Sequence, residues 1–109
     1  MPETQLLKGV LTLLLLGVLA AQESYGYEVV LRLRRLGLGD VGEGTVYPAL
    51  TRLEARGLLS SRLVASRSGP ARKYYALTEQ GTAELARLDD AWTAVRAAVD
   101  SLPRHPLPT

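Results

Sequence analysis

Apolar residues recur along this chain at two spacings, and the change from one to the other divides it into elements. From Leu6 to Ala21 they lie on two adjacent helical faces, Leu6, Val10, Leu13 and Leu14 on one and Leu7, Leu11, Leu15 and Val18 on the next. Lys8 and Thr12 mark only a narrow polar strip between them. Ser24 is a good N-cap, and after it Tyr25, Val29, Leu33 and Leu36 fall on one stripe with Gly26 and Val30 alongside, until Gly37 and Gly39 stop the helix. A glycine-rich turn then leads into a third helix, Gly44 to Arg56, whose core stripe is Val46, Leu50 and Leu53 with Ala49 beside it and Gly57 as its stop. Pro48 predicts a start near Gly44 or Thr45, because proline is tolerated in the first turn, where amide donors lack intrahelical partners.

Beyond Leu58 the period shortens to two. Leu59, Ser61, Leu63 and Ala65 alternate with Ser60, Arg62, Val64 and Ser66, the pattern of a strand. Arg67-Ser68-Gly69-Pro70-Ala71 reads as a turn, and Arg72 to Leu77 as the returning strand of a hairpin. Thr78 caps a last helix in which Leu85, Leu88, Trp92, Val95, Val99 and Leu102 follow a heptad seam, with Ala91, Ala94 and Ala98 beside it and Pro103 ending it. The predicted fold is mainly α with a two-stranded β wing: a winged helix-turn-helix over residues 1–78, a dimerisation helix over 79–102 and a flexible proline-rich tail over 103–109.

The polar side of the third helix carries Thr45, Tyr47, Pro48, Thr51, Arg52, Ala55 and Arg56. Small residues let a helix approach DNA closely, and hydroxyls and arginines bond phosphates or base edges, although many amphipathic helices have such a face without a ligand. A cationic hairpin placed straight after that helix fits, by its position and charge, a wing that lies along phosphates better than a mere cover for the core edge. The base or near-base contacts this reading selects are Thr45, Thr51 and Arg52, with Tyr27 and Tyr47 on phosphates and Arg67, Arg72 and Lys73 from the wing. Two-fold symmetry then requires an inverted-repeat operator. A winged helix used only for protein interaction is the alternative, distinguished by a lack of salt-sensitive DNA affinity.

Charge sharpens this picture more than composition does. The net charge of the 109 residues is only +2, yet Arg52, Arg56, Arg62, Arg67, Arg72 and Lys73 stand against the single acid Glu54, while the last helix is predominantly acidic. The chain has no cysteine, which excludes disulfides, thiolate metal sites and a cysteine nucleophile. Its one histidine, His105, lies in the proline-rich tail, so no catalytic residues, metal ligands or cofactor are expected. The uninterrupted apolar run after Lys8 spans about thirteen residues against the twenty needed to cross a bilayer, and Glu3 offsets the charge a signal peptide requires. Neither a membrane partner nor a cleaved leader is expected. The excess of apolar faces on the first helix calls instead for two burial partners, the domain's own core and a second subunit.

Four motifs occur in order: Tyr25-Gly26-Tyr27-Glu28, Gly44-Thr45-Val46-Tyr47-Pro48-Ala49-Leu50, Leu53-Glu54-Ala55-Arg56-Gly57-Leu58 and Gly69-Pro70-Ala71-Arg72-Lys73-Tyr74-Tyr75-Ala76-Leu77-Thr78. In these, from about Leu6 to Val99, the chain resembles the PadR family of bacterial transcriptional regulators. The resemblance implies a cytoplasmic, homodimeric winged-helix repressor released from its operator by a small molecule, of the compact subfamily with a single C-terminal dimerisation helix. It implies DNA contacts at Tyr25, Tyr27, Thr45, Tyr47, Pro48, Thr51, Arg52, Arg67, Arg72 and Lys73. It also implies a subunit interface formed by Leu7, Leu11, Leu85, Leu88, Trp92, Val95 and Val99. Some members of the family bind flat aromatic compounds between the subunits, stacked on a tryptophan of the last helix. Trp92 matches that position, with Leu15, Leu88, Val95 and Val99 left to form most of the cavity walls; it fits equally a residue that only fills the interface.

Overall fold

The computed structural model describes residues 4–104. In chain order it contains α1 (Thr4–Ala21), β1 (Ser24–Tyr25), α2 (Gly26–Arg35), α3 (Glu43–Ala55), β2 (Leu59–Ser66), β3 (Gly69–Leu77) and α4 (Glu79–Asp100). Helices α1, α2 and α3 enclose the core, where Leu15, Leu16, Val29, Val30, Leu33, Val46 and Leu50 are fully buried. Helix α1 is long and apolar enough to cross a membrane by length and composition alone. Its Leu11, Leu15, Leu16, Val18 and Leu19 are nevertheless buried inside the domain.

Two glycines end helices in the way the sequence requires. Gly37 and Gly57 both adopt positive φ, 102° and 79°. After Gly57 the Leu58 amide donates to the Leu53 carbonyl and the Gly57 amide to that of Glu54, a Schellman closure. The Leu38 and Gly37 amides close α2 on Leu33 and Arg34 in the same pattern. Thr78 caps α4 as expected: its Oγ1 accepts from the Gly81 amide at 3.0 Å and donates to the Gly57 carbonyl at 2.6 Å, tying α4 to the end of α3.

Several boundaries differ from expectation. Ser24 does not cap α2. It is fully buried in β1, paired with Tyr75, its hydroxyl donating to the Gln22 carbonyl and accepting from Arg32 Nη1; Tyr25 takes the N-cap position with an extended backbone. This two-residue β1 makes the sheet three-stranded, in the order β1-β3-β2. The hairpin turn is only Arg67-Ser68, since Ser66 pairs with Gly69, and a register irregularity between Val64 and Ser66 leaves the extra residue on β3. Pro70 sits in that irregular stretch, where a missing amide donor costs no ladder bond. Leu36, expected in the core, is 63 % exposed beyond the end of α2.

Helix α3 begins at Glu43, so Pro48 is its sixth residue and lies in the second turn, not the first. Gly42 makes the early start possible: its carbonyl accepts from both the Thr45 and Val46 amides. At the other end of the chain α4 stops at Asp100, before Leu102, because the residue preceding Pro103 is pushed out of helical conformation. Leu85 and Leu88 pack against the core, whereas everything on α4 from Asp89 onward is exposed. His105 and the rest of the expected tail lie outside the described residues.

Candidate nucleic-acid interface

The buried stripe of Val46, Ala49, Leu50 and Leu53 sets the rotation of α3. At 100° per residue the positions opposite it are Gly44, Pro48, Thr51 and Ala55, and all four are exposed. This outward face is small and uncharged, so another surface can come close to the helix backbone. Pro48 has no amide hydrogen, so it cannot make the usual helical bond to the Gly44 carbonyl. The Thr51 hydroxyl donates back to the Tyr47 carbonyl at 3.1 Å. Thr45 and Arg52 occupy the flank toward α1, and Tyr47 the flank toward the sheet.

On the sheet side the three tyrosines assemble. Tyr25, Tyr27 and Tyr47 line one hollow of about 240 Å³ together with Gly26, Arg72, Lys73 and Tyr75. Glycine is needed at position 26, because a Cβ there would stand 2.8 Å from Tyr47 Cε1. Partial burial, reinforced by the negative charge of Glu43, raises the Tyr47 phenol above its ordinary value, so at neutral pH it is an uncharged hydrogen-bond donor. Tyr25 is not on the α2 stripe. From β1 its ring meets Tyr74 edge-on at 5.4 Å and carries the Arg72 guanidinium 4.5 Å from its centroid.

The basic block read from the sequence is partly neutralised by acids from elsewhere in the chain. Arg62 pairs with Glu23 at 2.5 Å, which lowers the Glu23 carboxyl below its ordinary range through the hydrogen bond. Lys73 pairs with Glu54 at 2.9 Å, and Ser61 donates to the same carboxylate; those two hydrogen bonds, Ser61 first, lower Glu54. Lys73 is thus less free for an external anion than its place in the motif implies. Arg67 at the hairpin turn and Arg72 remain without an acidic partner among the described residues. Two other cations are structural: Arg32 bonds the Gln22 carbonyl and Ser24, and Arg34 bonds the Val41 carbonyl in the turn before α3.

The chain as a whole matches known proteins. A family model, that of the transcriptional regulator PadR-like family, matches residues 15–87. The chain belongs to this family. Among solved structures it is similar to a PadR-like transcriptional regulator of Bacillus cereus, with 37 % identity and a TM-score of 0.85 over 94 % of this chain and all of the other. A Streptococcus transcriptional regulator is also 37 % identical, with a TM-score of 0.80, over 90 % of this chain and 96 % of its own. Bacillus subtilis PadR, solved in complex with operator DNA, is 26 % identical with a TM-score of 0.66, over 91 % of this chain and 49 % of that one. The protein is a PadR-like transcriptional regulator, not an enzyme, and its fold is that of the family's winged helices.

The residues assigned by sequence to a subunit interface and an effector site divide in two. Leu7 and Leu11 pack against the domain's own core, Leu11 only 7 % exposed, and Leu15 is fully buried there, so none of the three lines the groove beside α4. The unsatisfied face of α1 is the other one: Leu6, Val10 and Leu13 form, with Leu88, Trp92 and Val95 of α4, an apolar groove of about 290 Å³. Trp92, Val95 and Val99 are 41 %, 54 % and 47 % exposed. In the sequence Lys8 is only part of a narrow polar strip on α1, and no spacing signals that it stands across a cleft from Arg52 and Arg56.

Proposed function

We propose that the protein represses transcription as a homodimer, binding an inverted-repeat operator through α3 and the wing, and that a small molecule releases it. The observation that carries this reading is the outward face of α3, small, uncharged and flanked by hydroxyl and guanidinium donors. A helix with that face can lie deep in a major groove, where Thr45 and Thr51 offer methyls and hydroxyls to base edges. Tyr25, Tyr27, Tyr47, Arg67 and Arg72 stand where phosphates would run beside the helix, with Lys73 joining them if its bond to Glu54 opens. Arg52, on the α1 flank with Arg56 and Lys8, stands aside from this contact surface. A cytoplasmic location follows from such a role.

The homodimer is supported by the bare apolar face of α4, where Trp92, Val95 and Val99 have no cover, and by the groove that α1 adds with Leu6, Val10 and Leu13. A second α4 laid into that groove completes the seam and sets two α3 helices about a two-fold axis. The same groove, with Trp92 as a stacking surface, suits a flat aromatic effector.

Fluorescence anisotropy with a duplex from the protein's own promoter tests the DNA reading. Affinity should fall linearly with log salt, by a slope of about −0.9 for each phosphate neutralised, and a scrambled duplex should bind at least about a thousandfold more weakly. Affinity that is absent, or indifferent to salt, would leave a protein-interaction module as the correct account.

A further inference from the structure

The largest of the cavities described lies away from both the tyrosine hollow and the α4 groove. It is a cleft of about 380 Å³ between α1 and the second half of α3, floored by Leu11, Ala49 and Leu53 and rimmed by Lys8, Arg52 and Arg56. We propose that this cleft binds a small organic dianion, a phosphate monoester with an apolar body. The rim carries three positive charges, and among the described residues none of the three side chains donates a hydrogen bond or forms an ion pair. Several other cations are engaged, Arg62 by Glu23, Lys73 by Glu54, Arg87 by Glu84, Arg32 and Arg34 by carbonyls and Arg72 by the Tyr25 ring, and of those that are not, Arg67 and Arg35 line none of the cavities described. Glu84 acts on Arg56 only at longer range, and its own hydrogen bonds go to Arg87.

Three exposed cations stand around one cleft without a counter-charge, which a bound dianion supplies. Arg52 and Arg56 are one helical turn apart on the same flank of α3, so two guanidinium forks can converge on one phosphate while Lys8 and the Thr12 hydroxyl close it from α1. The Leu11, Ala49 and Leu53 floor then takes the organic portion, and the volume falls in the range of small-molecule sites. A DNA backbone is the poorer occupant. Arg52 lies nine residues beyond the start of α3, roughly 13 Å along its axis from the end proposed to enter a groove, and a concave apolar floor has no use for a phosphodiester chain.

Phenyl phosphate is the probe, titrated into the full-length protein by calorimetry in the absence of DNA, so that this proposal and the DNA reading fail independently. One site per chain is expected. Inorganic phosphate and phenol should each bind at least about tenfold more weakly, since each lacks one half of the recognition. Lys8→Gln and Arg56→Gln should each weaken phenyl phosphate by about tenfold or more, the loss of a charge-assisted hydrogen bond. Arg35→Gln, which removes an equal charge from exposed α2 surface, should leave it unchanged, and far-UV circular dichroism checks that every variant is folded. No binding at millimolar phenyl phosphate, equal binding of inorganic phosphate, or equal losses in all three variants overturns the proposal. So does a weakening of DNA by Lys8→Gln and Arg56→Gln with no response to the probe.

Discussion

Replacing Gly81 by alanine sets two effects of opposite sign against each other. Gly81 is the third residue of α4, and on helix propensity alone alanine there is favoured by about 1 kcal/mol. Its Cβ, however, would stand 2.0 Å from the Leu58 carbonyl oxygen and 3.1 Å from the Leu58 carbonyl carbon. The obstacle is backbone, held in place by the Schellman closure of α3 and by the Thr78 amide, which donates to that same oxygen at 3.2 Å. Rotamer changes cannot relieve it, so α4 has to retreat by roughly 1 Å, a displacement with the cost of overpacking, about 1–3 kcal/mol. Retreat also pulls the Gly81 amide from Thr78 Oγ1 and loosens the Thr78 bond to the Gly57 carbonyl, an N-cap loss of about 1 kcal/mol, and it weakens the Thr78 bond to the crowded Leu58 oxygen. The steric side wins, leaving a net destabilisation of about 2–4 kcal/mol. For a domain of this size that lowers Tm by roughly 10–20 °C. Thermal unfolding followed by circular dichroism, at one protein concentration because association shifts Tm, measures it. Gly17→Ala supplies the opposite case: no atom lies within 4 Å of its added Cβ, so propensity acts alone and Tm should rise. A Gly81→Ala protein that melts at or above the parent temperature, or two variants that shift in the same direction, would refute the reasoning.

Arg72→Ala should weaken all duplexes to a similar extent and reduce the salt slope by about one, whereas Lys73→Ala should do less, because Lys73 is already held by Glu54. Salt titrations of both variants decide; a loss confined to one operator position would make Arg72 a base contact. Glu54 has a lowered folded-state pKa, so the native state holds fewer protons than the unfolded chain. Its contribution is present above the ordinary carboxyl value of 4.5 and is lost as pH falls through the lower folded value. Glu54→Gln should therefore melt below the parent at neutral pH, with the gap closing in acid, and a gap that stays constant with pH would discount the Ser61–Glu54–Lys73 cluster. Trp92→Ser removes the largest exposed apolar side chain of α4 and should shift the protein toward monomer by light scattering, without changing the helical circular dichroism of dilute samples.

How much could be read from the chain depended on whether the signal was periodic. Helices α1 to α4 and the β2–β3 hairpin each repeat an apolar spacing several times, and Gly37, Gly57 and Thr78 punctuate them through local chemistry, so element type and order were legible. Strand β1 was not, because two residues have no period; Ser24 in isolation looks like a cap, and only the position of Tyr75, some fifty residues on, turns it into a strand. Pro48 falls in the second turn because the Gly42 carbonyl, accepting from the Thr45 and Val46 amides, starts α3 at Glu43, ahead of the Gly44 or Thr45 that the proline rule predicts. Charge was the least legible property. The sum over residues 52–73 is strongly positive, but Glu23 reaches Arg62 across thirty-nine positions and Glu54 turns onto the sheet to meet Lys73. What survives of the basic block is split by the rotation of α3 and by the hairpin. Arg67 and Arg72 go to the wing beside the tyrosines, while Arg52 and Arg56 go to the flank facing Lys8. That division follows from the buried stripe of Val46, Leu50 and Leu53, which was read correctly from the start. One stripe thus sets the face α3 turns outward and the side to which its arginines fall, dividing into two separate cationic surfaces what a count of charges suggested was one.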